Sequence, residues 1–326
     1  MTAPFSKEAG QTGEFVRQAN RFTDRVTADG SSGYPVEAGR YVLYVSLACP
    51  WAHRSIIVRR LLGLQDAIGL QVVDPVRDDK GWRFTLDEGG TDPVTGASYV
   101  MELYRRSDPA FDGRATVPFL WDTRTERIVT NDYPQITLDL STEWAALHGP
   151  EAADLYPEHS REAIDEIALT NFHAVNNGVY KAGFAVSQQA YEQAYDALFT
   201  QLHALDEHLG TERFLVGRQL SEADVRLYTT LVRFDAVYHG HFKCNERKLT
   251  EFAHLWAYAR DLFQTPGFGD TTDFDHIKRH YYGTHDTINP TLIVPTGPDA
   301  SGWDSAHRRD HLGQDLEELA GAAETS

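Results

Sequence analysis

Cys49 stands directly after an apolar, β-branched and aromatic run, Tyr41–Leu47, and directly before Pro50-Trp51-Ala52-His53-Arg54. A cysteine at the joint between a buried strand and a helix faces the helix's free N–H groups and the positive end of its dipole, which favour an anion. That predicts a lowered thiol pKa, with His53 and Arg54 adding positive charge one turn on. Pro50 suits a first helical position, where its missing N–H costs nothing. The residue three after Cys49 is Ala52, so the site is monothiol and an outside thiol must resolve any mixed disulfide formed on it. On this residue alone a packed, inert cysteine is an equal reading, since free cysteines are among the most buried side chains. Val117-Pro118, entering a strand, is a candidate cis peptide bond, with a trans edge proline as the alternative.

The elements that must position these residues fall into two kinds. Tyr41–Leu47 reads as a central strand, Ala52–Leu62 as a helix, Leu70–Val73 as a short strand, Thr116–Trp121 and Arg127–Thr130 as a hairpin, and Asn131–Pro134 as the opening of another helix. This is a small α/β unit with a mixed sheet. Residues 74–113 between them are long, polar and glycine-containing, and read as a functional loop. After residue 155 the apolar period changes to about 3.6, through Ile164, Ile167, Ala168, Phe172, Val175 and Val179, then Tyr191, Tyr195, Leu198, Phe199, Leu202, Leu205 and Leu209. Ser221-Glu222-Ala223-Asp224 is a capping box that starts a third helix, and Leu249–Phe263 is a fourth, stopped by Pro266-Gly267. The expected organisation is an arm over 1–38, a thiol-binding α/β domain over 39–150, an all-helical domain over 151–282 and an extension over 283–326 that ends in an exposed helix, His307–Glu318.

Composition bounds what this assembly can bind. The 326 residues carry 30 Lys and Arg against 48 Asp and Glu, a net charge of −18, which argues against nucleic-acid and anionic-membrane partners. A local basic pocket for a small anion is still compatible with it, and His53, Arg54, Lys80 and Arg83 are the expected cluster near Cys49. Two cysteines, Cys49 and Cys244, exclude a disulfide scaffold, and Cys244 reads as structural. The polar N-terminus does not read as a signal peptide and no run reaches the ~18 apolar residues of a membrane span, so the cytoplasm is the expected address. His276 and His280 are four apart, but no carboxylate completes a metallohydrolase pattern, and neither a dinucleotide nor a phosphate-loop motif is present. No metal and no tightly bound cofactor are expected.

The chain resembles the glutathionyl-hydroquinone reductases, the Xi class of the glutathione transferases. The resemblance rests on Cys49-Pro-Trp-Ala-His-Arg, Asp78-Asp-Lys-Gly-Trp-Arg-Phe84, Thr116-Val-Pro-Phe-Leu-Trp-Asp122, Asn177-Gly-Val-Tyr-Lys-Ala-Gly-Phe-Ala185, Arg233-Phe-Asp-Ala-Val-Tyr238, Phe242-Lys-Cys-Asn245, His280-Tyr-Tyr-Gly-Thr-His285 and Ile288-Asn-Pro290. It implies a thioredoxin-like N-terminal domain, an all-helical C-terminal domain and a homodimer. In that fold the loop before the cis-proline sits against the cysteine. It further implies that Cys49 is the nucleophile that removes glutathione from a glutathionyl-hydroquinone through a mixed disulfide, released by a second glutathione. Tyr180, Tyr238 and Tyr281 would surround the aromatic ring, a phenol hydroxyl stabilising the developing charge. Trp82, Arg83, Val117, Pro118, Asp132 and Tyr133 would hold the thiol co-substrate, with Trp82 covering the sulfur and Val117 bonding the glutathione backbone.

One departure stands out. Where the family has Glu-Ser to hold the γ-glutamyl end of glutathione, this chain has Asp132-Tyr133, followed by Pro134. A carboxylate is kept one methylene shorter and a small hydroxyl becomes a bulky phenol. The expectation is a different low-molecular-weight thiol or weak glutathione binding. Two other classes fit the same residues: a general thiol transferase or dehydroascorbate-type reductase using Cys49, and a non-catalytic protein that binds aromatic ligands.

Overall fold

The computed structural model describes Gly10 and residues 13–312. The first residues of the expected arm lie outside that range, as does the second half of the helix expected over His307–Glu318.

Four strands form one mixed sheet in the order β2-β1-β3-β4. The central strand β1 is Tyr41–Val45, buried along its whole length, as its apolar sequence requires of a strand covered on both faces. Helix α1, Pro50–Leu61, crosses from β1 to the parallel neighbour β2, Ile68–Val72. Strands β3, Phe119–Asp122, and β4, Arg127–Thr130, pair antiparallel and lead into α3, Tyr133–Thr142. The strand after Pro118 begins three residues later than the sequence suggests, at Phe119, and the Val117–Pro118 bond just before it is cis. Arg40 closes the base of the sheet with a bidentate pair to Asp122 at 2.7 and 2.8 Å.

Residues 74–113 do not form a bare loop. They contain a helix, α2, Val100–Ser107, whose Val100, Leu103 and Tyr104 are buried at the i, i+3, i+4 spacing of an amphipathic turn. With Phe84, Ala97 and Phe111 these side chains build a second core on the far face of the sheet, where Tyr44 and Phe119 stack at 4.7 Å.

The chain beyond residue 157 is helical: α4, Arg161–Asn171; α5, Gly178–Gly183; α6, Gln188–His208; α7, Glu222–Arg233; α8, Ala253–Gln264; and α9, Phe274–Thr284. The capping box at Ser221 forms, with Asp224 accepting from the Ser221 N–H and hydroxyl. The period through Ile164–Val179 is broken by a π turn at Phe172–Asn176, and a second π turn at Phe234–Tyr238 follows α7. Residues 307–312 are not helical. Arg309 is buried and donates to the carbonyls of Leu209, Glu212 and Arg213 behind α6, so this end of the chain is anchored as an irregular strap. Among the described residues no helix is long and apolar enough to cross a membrane.

Candidate active site

Cys49 is the N-cap of α1, with Pro50 in the first turn. Its Sγ faces the carbonyl oxygen of Val117 at 3.5 Å, on the cis Val117–Pro118 loop. The cysteine is half-buried at the floor of a cleft between the sheet unit and the helices. The lowered thiol pKa expected from the helix terminus is not found. Burial among the cleft walls pushes the Cys49 thiol up, against the opposing pull of the Ala52 N–H, the Arg233 guanidinium, the Trp51 N–H and Arg17. Desolvation outweighs the dipole here because the walls are largely aromatic.

The basic residues near this sulfur are also not the expected four. His53 is buried and held neutral, its pKa driven well below the usual value by desolvation and by Arg233. Arg54 lies over the Trp51 ring at 4.6 Å with its own charge disfavoured by burial. Lys80 sits over the Tyr99 ring, and Arg83 turns to Asp74 and Asp78 at 3.9 and 3.8 Å. None of the four lines the cleft. Arg17, Arg77 and Arg114 do. They come from the arm and from two loops distant in sequence, so no spacing rule could have gathered them.

Three phenols meet above the cysteine. The Tyr281 hydroxyl, on α9, is 2.5 Å from that of Tyr180 and 3.0 Å from that of Tyr238. Tyr180 and Tyr281 line the cleft and Tyr238 stands behind them. Each of the two π turns adds a residue to the helical count just before or at a tyrosine, which rotates Tyr180 and Tyr238 onto the face that meets Tyr281. Burial raises all three phenols, so they are neutral and able to donate. Tyr282, next in sequence, points away and donates to the Ala236 carbonyl.

Trp82 walls the other side. Its indole stacks on His280 at 4.9 Å, and Arg77 lies over it at 5.2 Å. His280 donates through Nδ1 to the Pro75 carbonyl at 2.7 Å and is held neutral, its pKa lowered to about 3 mainly by burial. Of the remaining expected thiol-binding residues, Val117 and Tyr133 line the cleft, whereas Arg83, Pro118 and Asp132 do not. Asp132 is the N-cap of α3, and its Oδ1 accepts from Asn20 at 3.0 Å. Burial raises its carboxyl. Tyr133 packs its ring on Trp51 at 4.8 Å.

A sulfur at a helix N-terminus, a cis-proline loop against it and phenol hydroxyls overhead thus meet in one cleft. The glutathione S-transferase N-terminal domain model matches residues 48–143, and the C-terminal domain model matches 188–261. Glutathionyl-hydroquinone reductase YqjG of Escherichia coli is 44% identical over 309 residues, covering 91% of this chain and 93% of that protein. Its glutathione-bound structure superposes with a TM-score of 0.85, over 89% of this chain and 96% of that one. The chain belongs to the Xi-class glutathione transferases. Two further solved structures are similar. A glutathione transferase from Gordonia bronchialis is 56% identical with a TM-score of 0.88, over 90% of this chain and 91% of that chain. The Xi transferase of Phanerochaete chrysosporium is 42% identical with a TM-score of 0.87, over 92% and 98%. Family membership thus accounts for the thioredoxin-like sheet and the helical half in one chain.

Proposed function

We propose that the protein is a thiol-dependent reductase that removes glutathione, or a related low-molecular-weight thiol, from glutathionyl-hydroquinones through a mixed disulfide on Cys49. The observation that carries this reading is the convergence of Cys49, Tyr180 and Tyr281 in a single cleft, with the Tyr238 hydroxyl bonded to that of Tyr281 from behind. The Cys49 thiolate attacks the thioether sulfur and forms the S–S bond. The carbon–sulfur bond breaks, and its electron pair stays with the aromatic ring. That ring must gain a proton, and the hydroxyls of Tyr180 and Tyr281 are the donors facing it. A second thiol then attacks the mixed disulfide, leaves as the symmetrical disulfide and restores Cys49. The ring carbon has been reduced by two electrons, supplied by the sulfur of the conjugate and the sulfur of one incoming thiol, which leave joined as the disulfide.

The same cleft supports a finer statement about the thiol. Among the described residues that line it there is no carboxylate, while Arg17, Arg77 and Arg114 are cationic. Asp132, expected to meet the γ-glutamyl ammonium group, is occupied by Asn20 outside the lining, and the Tyr133 ring takes the space of a small hydroxyl. A thiol without a free ammonium group therefore fits better than glutathione. The homodimer that the resemblance implies and the cytoplasmic address are further proposals.

Mass spectrometry of the protein after one turnover with a glutathionyl-hydroquinone tests the reading. A thiol adduct on Cys49 with stoichiometric hydroquinone supports it, and hydroquinone release with Cys49 unmodified overturns it. Comparing KM values for glutathione and for thiols lacking the ammonium group tests the finer statement, and a low-micromolar KM for glutathione would sink it.

A further inference from the structure

Arg233 is the last residue of α7 and is completely buried. Its guanidinium reaches out of the helical half into the cysteine turn. Nε donates to the Ala48 carbonyl at 2.9 Å, and Nη2 donates to the Leu47 carbonyl at 2.9 Å. These are the two residues immediately before Cys49. Nη1 donates to the Thr229 carbonyl at 2.7 Å and to His53 Nδ1 at 3.1 Å. Because His53 is neutral, Nδ1 accepts from Arg233 and Nε2–H donates to Thr271 Oγ1 at 3.0 Å. Thr271 Oγ1 in turn donates to the carbonyls of Gly267 and Phe268.

Every partner of this cation is a carbonyl or a neutral imidazole, and among the described residues no carboxylate pairs with it. A guanidinium stays charged in proteins. A buried cation held without its counter-ion is costly, so this one gains when a negative charge forms nearby. The charge that forms in the reaction is the Cys49 thiolate. The planar fork also bridges two consecutive carbonyls, a geometry that a point charge cannot reproduce.

We propose that Arg233 is a positioning residue for the thiol-exchange reaction: it clamps the Leu47–Ala48 turn that aims Cys49 and supplies, from the other half of the molecule, the buried positive charge that the thiolate answers. This rests on Cys49 being the nucleophile. The remaining charged or titratable groups facing Cys49 are Arg17 on the arm, Arg77 and Arg114 on the loops, Tyr133 and Tyr180 on α3 and α5, and His280, Tyr281 and His285 at the end of α9. Arg233 is bonded to both the Leu47 and the Ala48 carbonyl while its charge pulls on the Cys49 thiol, so it joins the clamp to the charge.

The test is the rate of Cys49 alkylation by iodoacetamide against pH in the full chain, read as Cys49 adduct by mass spectrometry, for wild type, Arg233→Met and Arg233→Lys. Arg233→Met is expected to move the inflection up by at least one pH unit, a tenfold loss of thiolate below it. Arg233→Lys keeps the charge and is expected to move it by less than half a unit. Its turnover of a glutathionyl-hydroquinone, however, should fall at least tenfold at a pH where Cys49 is ionised, because the clamp is lost. Profiles for both variants that overlay the wild type, with unchanged turnover in Arg233→Lys, would overturn the proposal. If Arg233→Met does not fold, the lysine variant decides alone, since its two readouts separate charge from aim. Alkylation needs no natural substrate, so the role of Arg233 is read even where the proposed hydroquinone is not turned over.

Discussion

At Cys49 the N–H groups of Trp51 and Ala52 and the guanidinia of Arg233 and Arg17 all oppose the effect of burial on the thiol. Cys244 is fully buried, faces the Phe242 carbonyl oxygen at 3.8 Å, and has only Lys243 to offset a strong upward push from desolvation. Both thiols are therefore raised, and burial does not tell them apart. What separates them is the set of donors and cations already in place to receive a thiolate, together with a cleft that brings a second sulfur within reach. A nucleophile is recognised by what stabilises its charged form.

The sharpest way to break that comparison is to exchange each sulfur in turn. Cys49→Ser is expected to lower turnover of a glutathionyl-hydroquinone by at least about 10³-fold, since the covalent route is lost. Cys244→Ser is expected to stay within about twofold in activity, with a loss of stability from placing a hydroxyl in an apolar site. Hydroquinone formation followed chromatographically, with melting curves for both variants, checks the pair. Equal losses in the two variants would mean that the distinction drawn between them is wrong.

The tyrosines extend the contrast from the sulfur to its surroundings: Tyr191 and Tyr195 are near Cys244, but the Tyr191 hydroxyl donates to the Lys243 carbonyl. Tyr281 joins the other two hydroxyls, so Tyr281→Phe is expected to lower kcat by about 10²-fold, in the range of a lost general acid. Tyr238→Phe, one bond removed from the cleft, is expected to cost about tenfold or less on the same principle. Steady-state kinetics under saturating thiol distinguishes them. Equal effects would put Tyr238 in the cleft itself.

The co-substrate corner offers a smaller change. Restoring Glu-Ser with the double variant Asp132→Glu, Tyr133→Ser is expected to lower the glutathione KM by about tenfold, equal to ~1.4 kcal/mol. It is expected to leave iodoacetamide alkylation of Cys49 unaltered. An unchanged KM would show that the ammonium end is bound elsewhere.

How far the sequence reaches is visible in these same residues. Cys49 and Pro50 were legible because the strand, the sulfur and the helix are contiguous, and the Ser221–Asp224 cap because its partners are three apart. Helix α2 is masked by the polar, glycine-rich stretch around its eight residues, although Val100, Leu103 and Tyr104 carry its periodicity. Arg17, Arg77 and Arg114 could not be chosen from among 30 cationic residues, because the cleft that gathers them exists only after the chain packs, and Arg233 meets the Leu47 and Ala48 carbonyls only through the same packing. His53 and Arg54 show the opposite error. Proximity in sequence put them one turn from the sulfur, and the turn of the helix carried them away from the cleft.

Acid pH tests both neighbourhoods at once, with the smallest expected effect. His280 lines the Cys49 cleft, and His241 stacks on Phe242, whose carbonyl faces Cys244. Burial lowers their pKa values to about 3 and about 4. An unfolded histidine titrates near 6.5, so the unfolded chain takes up protons that the folded chain refuses as pH falls. The contribution of each group is then fully present above about pH 6.5 and is lost progressively below it, toward the folded value. Between pH 7 and 5 this amounts to at most ~2 kcal/mol per histidine, or a fall in Tm of several degrees for a chain of this size. His280→Asn keeps a side-chain N–H for the Pro75 carbonyl and removes the titration, so its melting temperature should fall less than that of wild type over the same range. His241→Asn should recover a share of its own, and the double variant should recover less than the sum of the two, because His241 contributes to the lowering at His280 and both contact His285. Wild-type melting curves that are flat between pH 7 and 5 would show that neither imidazole is held neutral by the fold.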